Sequence, residues 1–333
     1  MSLKDRIATL AEFGNVIMQR NDELQELMHE IEMHNRWFTK INQEITLDAF
    51  ANNFLQTFKM NEWVSNYTIN ESANKQVGLI LAGNIPFVGM HDVLSVLISG
   101  NTALIKQSSK DALFFPWMYN TINEISDVFK HKMVFTDQLK NFDAVITTGS
   151  NNAGKYFEYY FSKYPNIIRK NRTSVAVISE DDNDEELFEL GKDVFSYFGL
   201  GCRNVSKVFL PEGFEPEKLF RIWEDYRFVI DNNKYKNNYD YNRTLLLLNK
   251  TPHIANDFFM MVENEELFSP LATLNYEFYN SPVQLQNYFE SQAENLQCIV
   301  SNIPGNISYG KSQQPELWEY ADKVDTLKFL TML

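Results

Sequence analysis

The sequence predicts an α/β protein of two alternating blocks behind a helical N-terminal region. Three observations carry this. Short apolar runs of strand length, such as Val77–Ala82 and Asp143–Thr148, alternate with stretches of helical period. Apolar strands separated by helices form parallel sheets covered on both faces. The chain has 333 residues, long enough for two domains.

Residues 1–70 are periodic in the helical sense. Leu24, Leu27, Met28 and Ile31 follow the i, i+3, i+4, i+7 spacing, with Asn21 placed to cap their helix. Phe50, Phe54, Leu55 and Phe58 read as a second core stripe. Val77–Ala82 is then a buried strand, and Pro86–Ser99 a helix with Pro86 in its first turn. Thr102–Lys106 is a strand, Asp111–Ile125 a helix, Asp143–Thr148 a third strand and Asn151–Tyr164 the following helix. The basic segment Arg169–Arg172 separates the blocks, so a domain boundary is expected near residue 170.

The second block offers strands at Val175–Ser179, Val205–Leu210, Thr244–Asn249, Thr273–Phe278 and Leu296–Ser301. Its helices are expected at Asp184–Phe198, Glu215–Tyr226 and Pro282–Ser291. The acidic run Glu180–Glu186 suits a turn and a helix N-terminus, where negative charge is favoured. Asp325–Leu330 reads as a short terminal strand, pairing with another subunit or lying at an edge of its own sheet.

A net charge of −14 argues against a general nucleic-acid binder, which needs clustered Lys and Arg. Cys202 and Cys298 are the two cysteines, too few for a disulfide framework. The five histidines show no zinc spacing, and no metal is implied. No charged-then-apolar leader and no apolar run of membrane-spanning length is seen, so a cytoplasmic protein is expected.

Four segments carry candidate chemistry. Gly83-Asn84-Ile85-Pro86 joins a strand to a helix, and Asn84 there is either a helix-capping turn residue or an oxyanion donor. Gly100–Lys106 is a turn and a strand ending in a cation. Thr147-Thr148-Gly149-Ser150 ends a strand in a turn that is ordinary or cradles a phosphate. Phe198-Gly199-Leu200-Gly201-Cys202-Arg203-Asn204 places a thiol after a loop that Gly199 and Gly201 make flexible. Cys298 lies in an apolar run and reads as a buried small hydrophobe, which favours Cys202 as the nucleophile.

In this order, with Glu265-Glu266-Leu267-Phe268-Ser269-Pro270 as a fifth piece, the segments resemble the aldehyde dehydrogenase superfamily. They are most similar to its acyl-CoA reductase branch, the family of the fatty acid reductase of bacterial luminescence. The resemblance runs from about residue 75 to the C-terminus, the N-terminal helices carrying no matching motif. It implies an aldehyde dehydrogenase-like fold: a helical region over 1–70, a Rossmann-type nicotinamide cofactor domain over 71–170, a second α/β catalytic domain over 171–310, and a tail over 311–333 that serves an oligomer. It implies that Cys202 is the nucleophile and that Asn84 and the Cys202 amide hold the oxyanion. Lys106 would meet the adenosine ribose, Gly149 and Ser150 the pyrophosphate, Glu266 the nicotinamide ribose, and Phe268 the ring.

Two departures refine the expectation. Where the family often carries a ribose-gripping Glu, this chain has Ser109 followed by Lys110. A carboxylate would repel a 2′-phosphate, whereas a hydroxyl beside lysines would accept one, so NADPH is expected over NADH. The hydrolytic enzymes carry a general-base Glu where this chain reads Ile168-Arg169-Lys170-Asn171-Arg172-Thr173. Without that base, hydrolysis of an acyl-enzyme is slow. The basic segment is then a dock for coenzyme A phosphates or a plain boundary cluster. Arg203 and the loop amides are expected to favour the Cys202 thiolate. The activity so implied is reduction of an acyl-CoA, fatty acyl above all, to the aldehyde. The alternatives are a short-chain acyl-CoA or acyl phosphate substrate, or a non-catalytic binding protein of the same fold.

Overall fold

The structure, a computed structural model, describes residues 2–72, 74–149 and 151–333. It divides into two compact units, Met1–Asn171 with Gln314–Leu333, and Arg172–Gln313.

The first unit opens with α1 (Leu3–Gln19), α2 (Asp22–His34), α3 (Lys40–Ala49) and α4 (Thr57–Val64). Ser2 and Asp5 form a capping box on α1, and the Asn21 side chain accepts the Leu24 N–H to cap α2. The stripe expected over residues 50–58 is broken. Phe50–Phe54 is a π-helical turn, and the chain leaves the helix at Leu55 before α4 begins. Phe50, Phe54 and Leu55 are buried, but Phe58 on the new helix is 64% exposed.

The sheet of this unit comes from β1 (Gln76–Ile80), β2 (Thr102–Lys106), β3 (Met133–Phe135), β4 (Ala144–Thr148) and β5 (Asn166–Arg169). All its pairings are parallel, in the order β3-β2-β1-β4-β5. The intervening helices are α5 (Met90–Ser99), α6 (Phe114–Ile125) and α7 (Asn151–Phe161). Helices α1 to α6 and the sheet share one apolar core, with Phe13, Val77, Leu79, Val93, Ile105 and Phe114 fully buried within it.

Two helix starts differ from expectation for one reason. Phe87 is left-handed (φ 57°), so Pro86 lies in a turn and α5 begins only at Met90. The Phe87 N–H donates to Asp111 Oδ2 at 2.9 Å. Asp111 is thus committed to fastening that turn, and α6 starts at Phe114 rather than at Asp111.

The second unit is built from β6 (Thr173–Val177), α8 (Asp184–Phe195), β7 (Val205–Pro211), α9 (Glu217–Ile222), α10 (Asn233–Leu248), β8 (Ile254–Ala255), β9 (Met260–Glu263), β10 (Thr273–Tyr279), α11 (Pro282–Ser291) and β11 (Leu296–Val300). The strand order is β11-β6-β7-β10-β9-β8, parallel except for β8 against β9. Asn183 caps α8 in a capping box with Glu186, which accounts for the acidic run. The helix expected to run to Tyr226 stops at Ile222, and a 3-10 segment follows from Glu224 to Asp231. The strand expected at Thr244–Asn249 is the end of α10. Asn232 caps that helix by accepting the Lys234 and Tyr235 N–H groups, and the leucines continue it because Leu is a strong helix former.

The chain then returns to the first unit. Asp325–Leu330 is not a strand: Asp325 caps α12 (Thr326–Thr331), which packs on α5 with Leu327 and Leu330 buried. Edge pairing between subunits through that segment is thereby withdrawn. Among the described residues no helix is long and apolar enough to cross a membrane.

Candidate active site

In an open parallel sheet, ligands settle at the carboxyl ends of the strands, where the chain order reverses. From β1 the chain builds β2 and β3 on one side, then crosses to build β4 and β5 on the other. Register sets the ends side by side: Ile80 lies opposite Lys106 on β2 and Thr147 on β4. The sheet therefore gathers Asn84, Lys106 and Gly149 along one edge. Asn84, Lys106, Ser109 and Lys110 are exposed there.

Close packing fixes the loops of that edge. A Cβ on Gly83 would stand 2.4 Å from Ser108 Oγ and 3.2 Å from Lys110 Cβ, so the β1 and β2 loops touch where only glycine fits. A Cβ on Gly149 would meet Ala153 and Phe157 at 3.0 Å, which lets α7 begin directly at the end of β4. Ser150 lies outside the described residues. Asp111, not singled out by sequence as a site residue, underlies this edge. Burial pushes its carboxyl up to about 7, partly opposed by the Phe87 N–H, and its Oδ1 has no hydrogen-bond partner among the described residues.

The second unit presents Cys202 as a half-buried thiol, outside any disulfide, in the turn before β7. The turn is strained. Tyr197, Phe198 and Gly199 are all left-handed (φ 52°, 58° and 77°), which ends the helix expected to reach Phe198. Each non-glycine residue in that region costs about 1–2 kcal/mol. Asn204 over-determines the turn from beneath. Its Oδ1 accepts the Gly201 N–H at 2.8 Å, and its Nδ2 donates to Asp193 O at 3.0 Å and Ser196 O at 2.8 Å. The Ser174 hydroxyl donates to Cys202 O at 3.0 Å and accepts the Cys298 N–H at 3.1 Å. Strain held this firmly is a feature of functional turns.

Arg203 Nη1 lies 3.4 Å from Cys298 Sγ and donates to Ser312 O at 3.3 Å. Cys298 is buried, as its apolar run implies.

The loop carrying Glu266 and Phe268 is clamped at four successive carbonyls. Lys207 Nζ donates to Glu265 O at 2.8 Å, Asn275 Nδ2 to Glu266 O at 2.9 Å, Ser206 Oγ to Leu267 O at 2.8 Å, and Asn275 Nδ2 again to Phe268 O at 3.2 Å. Leu267 is buried while Glu266 and Phe268 face outward. Lys207 is itself fully buried, ion-paired to Glu277 at 2.7 Å, with Nζ 5.1 Å from the ring centres of Phe209 and Tyr288. Ser206 stands four residues after Cys202, so the Cys202 turn and the Glu266 loop meet at the amino end of β7. Sequence reasoning missed Asn204 and Lys207. A lysine inside the apolar run Val205–Leu210 was the available signal.

The basic boundary segment divides between buried and exposed cations. Arg169, 4% exposed, is ion-paired to buried Asp92 at 2.8 Å and donates to Thr326 Oγ1 at 2.8 Å. Arg172 donates to the carbonyls of Ala293 and Leu296, and Lys170 pairs with Glu158 at 2.8 Å.

The family model of the acyl-CoA reductase LuxC matches residues 6–218, more than half of the chain. The chain belongs to the LuxC acyl-CoA reductase family. It is therefore an oxidoreductase of reductase or aldehyde dehydrogenase type on an aldehyde dehydrogenase fold. Solved structures agree on that fold. An aldehyde dehydrogenase mutant from Bacillus cereus is 14% identical with a TM-score of 0.65, covering 90% of this chain and 72% of its own. The indole-3-acetaldehyde dehydrogenase AldA of P. syringae, a mutant in complex with NAD+ and IAA, is 11% identical with a TM-score of 0.67 over 90% and 72%. A Mycobacterium tuberculosis aldehyde dehydrogenase complexed with NAD+ is 13% identical with a TM-score of 0.63 over 94% and 76%. No curated protein matches the chain in sequence.

Proposed function

We propose that this LuxC-family protein reduces a fatty acyl-CoA thioester to the aldehyde with NADPH, through an S-acyl intermediate on Cys202. The observation that carries the reading is the Cys202 turn. A half-buried thiol, outside any disulfide, stands on a strained backbone that Asn204 and Ser174 hold in place.

The chemistry follows from the residues. The Cys202 thiolate attacks the thioester carbonyl, and the Asn84 amide with the Cys202 N–H receives the oxyanion. Such a donor is worth about 3 kcal/mol in the transition state. The carbon–sulfur bond to coenzyme A breaks, its thiolate leaves and takes a proton from water, and Cys202 keeps the acyl group. The segment Ile168–Thr173 offers no carboxylate to activate water, and its Arg169 is committed to Asp92. The acyl group therefore waits for reduction rather than hydrolysis. Bound NADPH supplies the hydride. The resulting oxyanion re-forms a carbonyl, expelling the Cys202 thiolate and releasing aldehyde.

The residues fit a dinucleotide. The switch point between β1 and β4, the Gly149 approach to α7, and the exposed Lys106, Ser109 and Lys110 supply room, a backbone anchor and cations for a 2′-phosphate. Glu266 and Phe268 would hold the nicotinamide ribose and ring. The test is Cys202→Ala, assayed for labelling by radioactive acyl-CoA and for NADPH oxidation at 340 nm. Both are expected to vanish; retained aldehyde formation would overturn the proposal.

A further inference from the structure

The family match includes the N-terminal helices, although sequence reading found no motif in them, and one of them reaches the loop to which the cofactor reading assigns the 2′-phosphate. Helix α2 is fixed along its length. Leu24, Met28 and Ile31 are buried in the core, and Glu23 Oε1 near its start accepts the Trp117 Nε1–H of α6 at 2.9 Å. Its far end meets the loop between β2 and α6. His34 Nε2 lies 2.7 Å from Ser109 O, and Asn35 Nδ2 donates to Lys110 O at 3.2 Å. A carbonyl only accepts, so the first bond requires the proton on Nε2. Asn35 is 5% exposed, and its own Oδ1 accepts the Trp37 N–H at 3.2 Å, which fixes its amide.

These two bonds fall on the main chain of Ser109, read as standing where the family often has its ribose-gripping Glu, and of Lys110 after it. The same loop touches the β1 turn at Gly83. A main chain held on both sides presents its side chains in one arrangement, and interactions with a phosphate depend on that arrangement.

We infer that His34 and Asn35 are positioning residues for nucleotide discrimination: the end of α2 sets Ser109 and Lys110 to receive the 2′-phosphate. This rests on the proposed NADPH reading. His34 is exposed and its replacement leaves the core intact, whereas Asn35 is buried, so the test uses His34.

NADPH and NADH are titrated by nucleotide fluorescence into the full-length protein and its His34→Ala and His34→Gln variants. The His34→Ala variant is expected to raise the NADPH Kd on the order of tenfold, the scale of one lost hydrogen bond to a loop. The NADH Kd should change little. Cys202 acylation by acyl-CoA without nucleotide should keep its rate. His34→Gln, whose amide N–H can reach the same carbonyl, should recover most of the NADPH affinity. An unchanged NADPH Kd in His34→Ala, or an equal loss for both nucleotides, overturns the inference alone. A wild-type protein that binds no NADPH overturns the cofactor reading and the inference with it.

Discussion

The two units build their candidate sites in opposite ways. In the first unit the site residues stand at the carboxyl edge of a parallel sheet, where strand order alone brings Lys106, the Asn84 turn and Gly149 together. Packing holds Gly149, but Lys106 is exposed, and replacing it should disturb little beneath. In the second unit the Cys202 turn and the Glu266 loop stand at the amino end of β7, where no rule of sheet topology would gather them. Buried and half-buried polar side chains do it instead: Asn204 under the turn, and Lys207, Ser206 and Asn275 under the loop. Function and stability should therefore separate in the first unit and be coupled in the second.

The largest test of that coupling is Lys207→Met. The substitution keeps the stem but leaves the Glu277 carboxylate and the Glu265 carbonyl without their cation. Removing one partner of a buried ion pair costs roughly 3–5 kcal/mol. Glu277 keeps some solvent, its side chain being 30% exposed, which places the expectation at the lower end of that range. Urea unfolding should show a loss of about 3 kcal/mol, with acyl-CoA reduction falling in the protein that remains folded. An unchanged midpoint would mean that the loop does not depend on its clamp.

Asn204→Ala comes next. It orphans the Gly201 N–H and the carbonyls of Asp193 and Ser196, all near the strained turn. The expected loss is about 2–3 kcal/mol, from unsatisfied buried groups. Without the brace, Tyr197 and Phe198 can relax from the left-handed region, so the rate of Cys202 alkylation by iodoacetamide should change as well. Lost stability with an unaltered alkylation rate would make Asn204 a support of the fold and not of the nucleophile.

The same contrast explains what the sequence made legible. Strands β1, β2, β4, β6, β7, β10 and β11 are apolar enough to read directly, and the parallel arrangement follows from them. Strands β3 and β9 are three or four residues long, and β5 ends in a buried arginine whose charge Asp92 meets, so none has a pattern that announces it. Leu245–Leu248 resembled a strand because a short apolar run fits either state; what decided was the cap at Asn232, twelve residues before Thr244. Cys202, Asn84 and Lys106 could be singled out as candidates because their neighbours form motifs. Asn204 and Lys207 were not, because a buried polar residue is recognised only by the groups it satisfies, and those come from Asp193, Ser196, Glu265 and Glu277, distant in sequence or on main chain.

A pH prediction probes the loops of the first unit. Burial pushes Asp111 up to about 7 and Asp193 up to about 6, from 3.8 for the free side chain. Between the free and folded values the folded protein holds more protons than the unfolded chain, so stability falls as pH rises. The part owed to Asp111 is fully present below about pH 4 and gone above about pH 7. The part owed to Asp193 is gone above about pH 6. Asp111→Asn should flatten the decline, most clearly between pH 6 and 7, where Asp193 has finished titrating. A slope unchanged in that interval would show that Asp111 is ionised throughout.

The smallest expected effect is the most discriminating. Lys106 is exposed at the end of β2, and a surface substitution away from buried features changes stability by no more than about 0.5 kcal/mol. Lys106→Glu should therefore leave the urea midpoint within that margin. It places a carboxylate where the 2′-phosphate is to sit, so it should weaken NADPH binding far more than NADH binding, and the difference should shrink as salt is raised. Equal losses for the two nucleotides would count against the phosphate assignment. A large drop in stability would count against the contrast itself, since it would mean that the carboxyl edge of the first sheet, like the amino end of β7, is held together by the residues that do its chemistry.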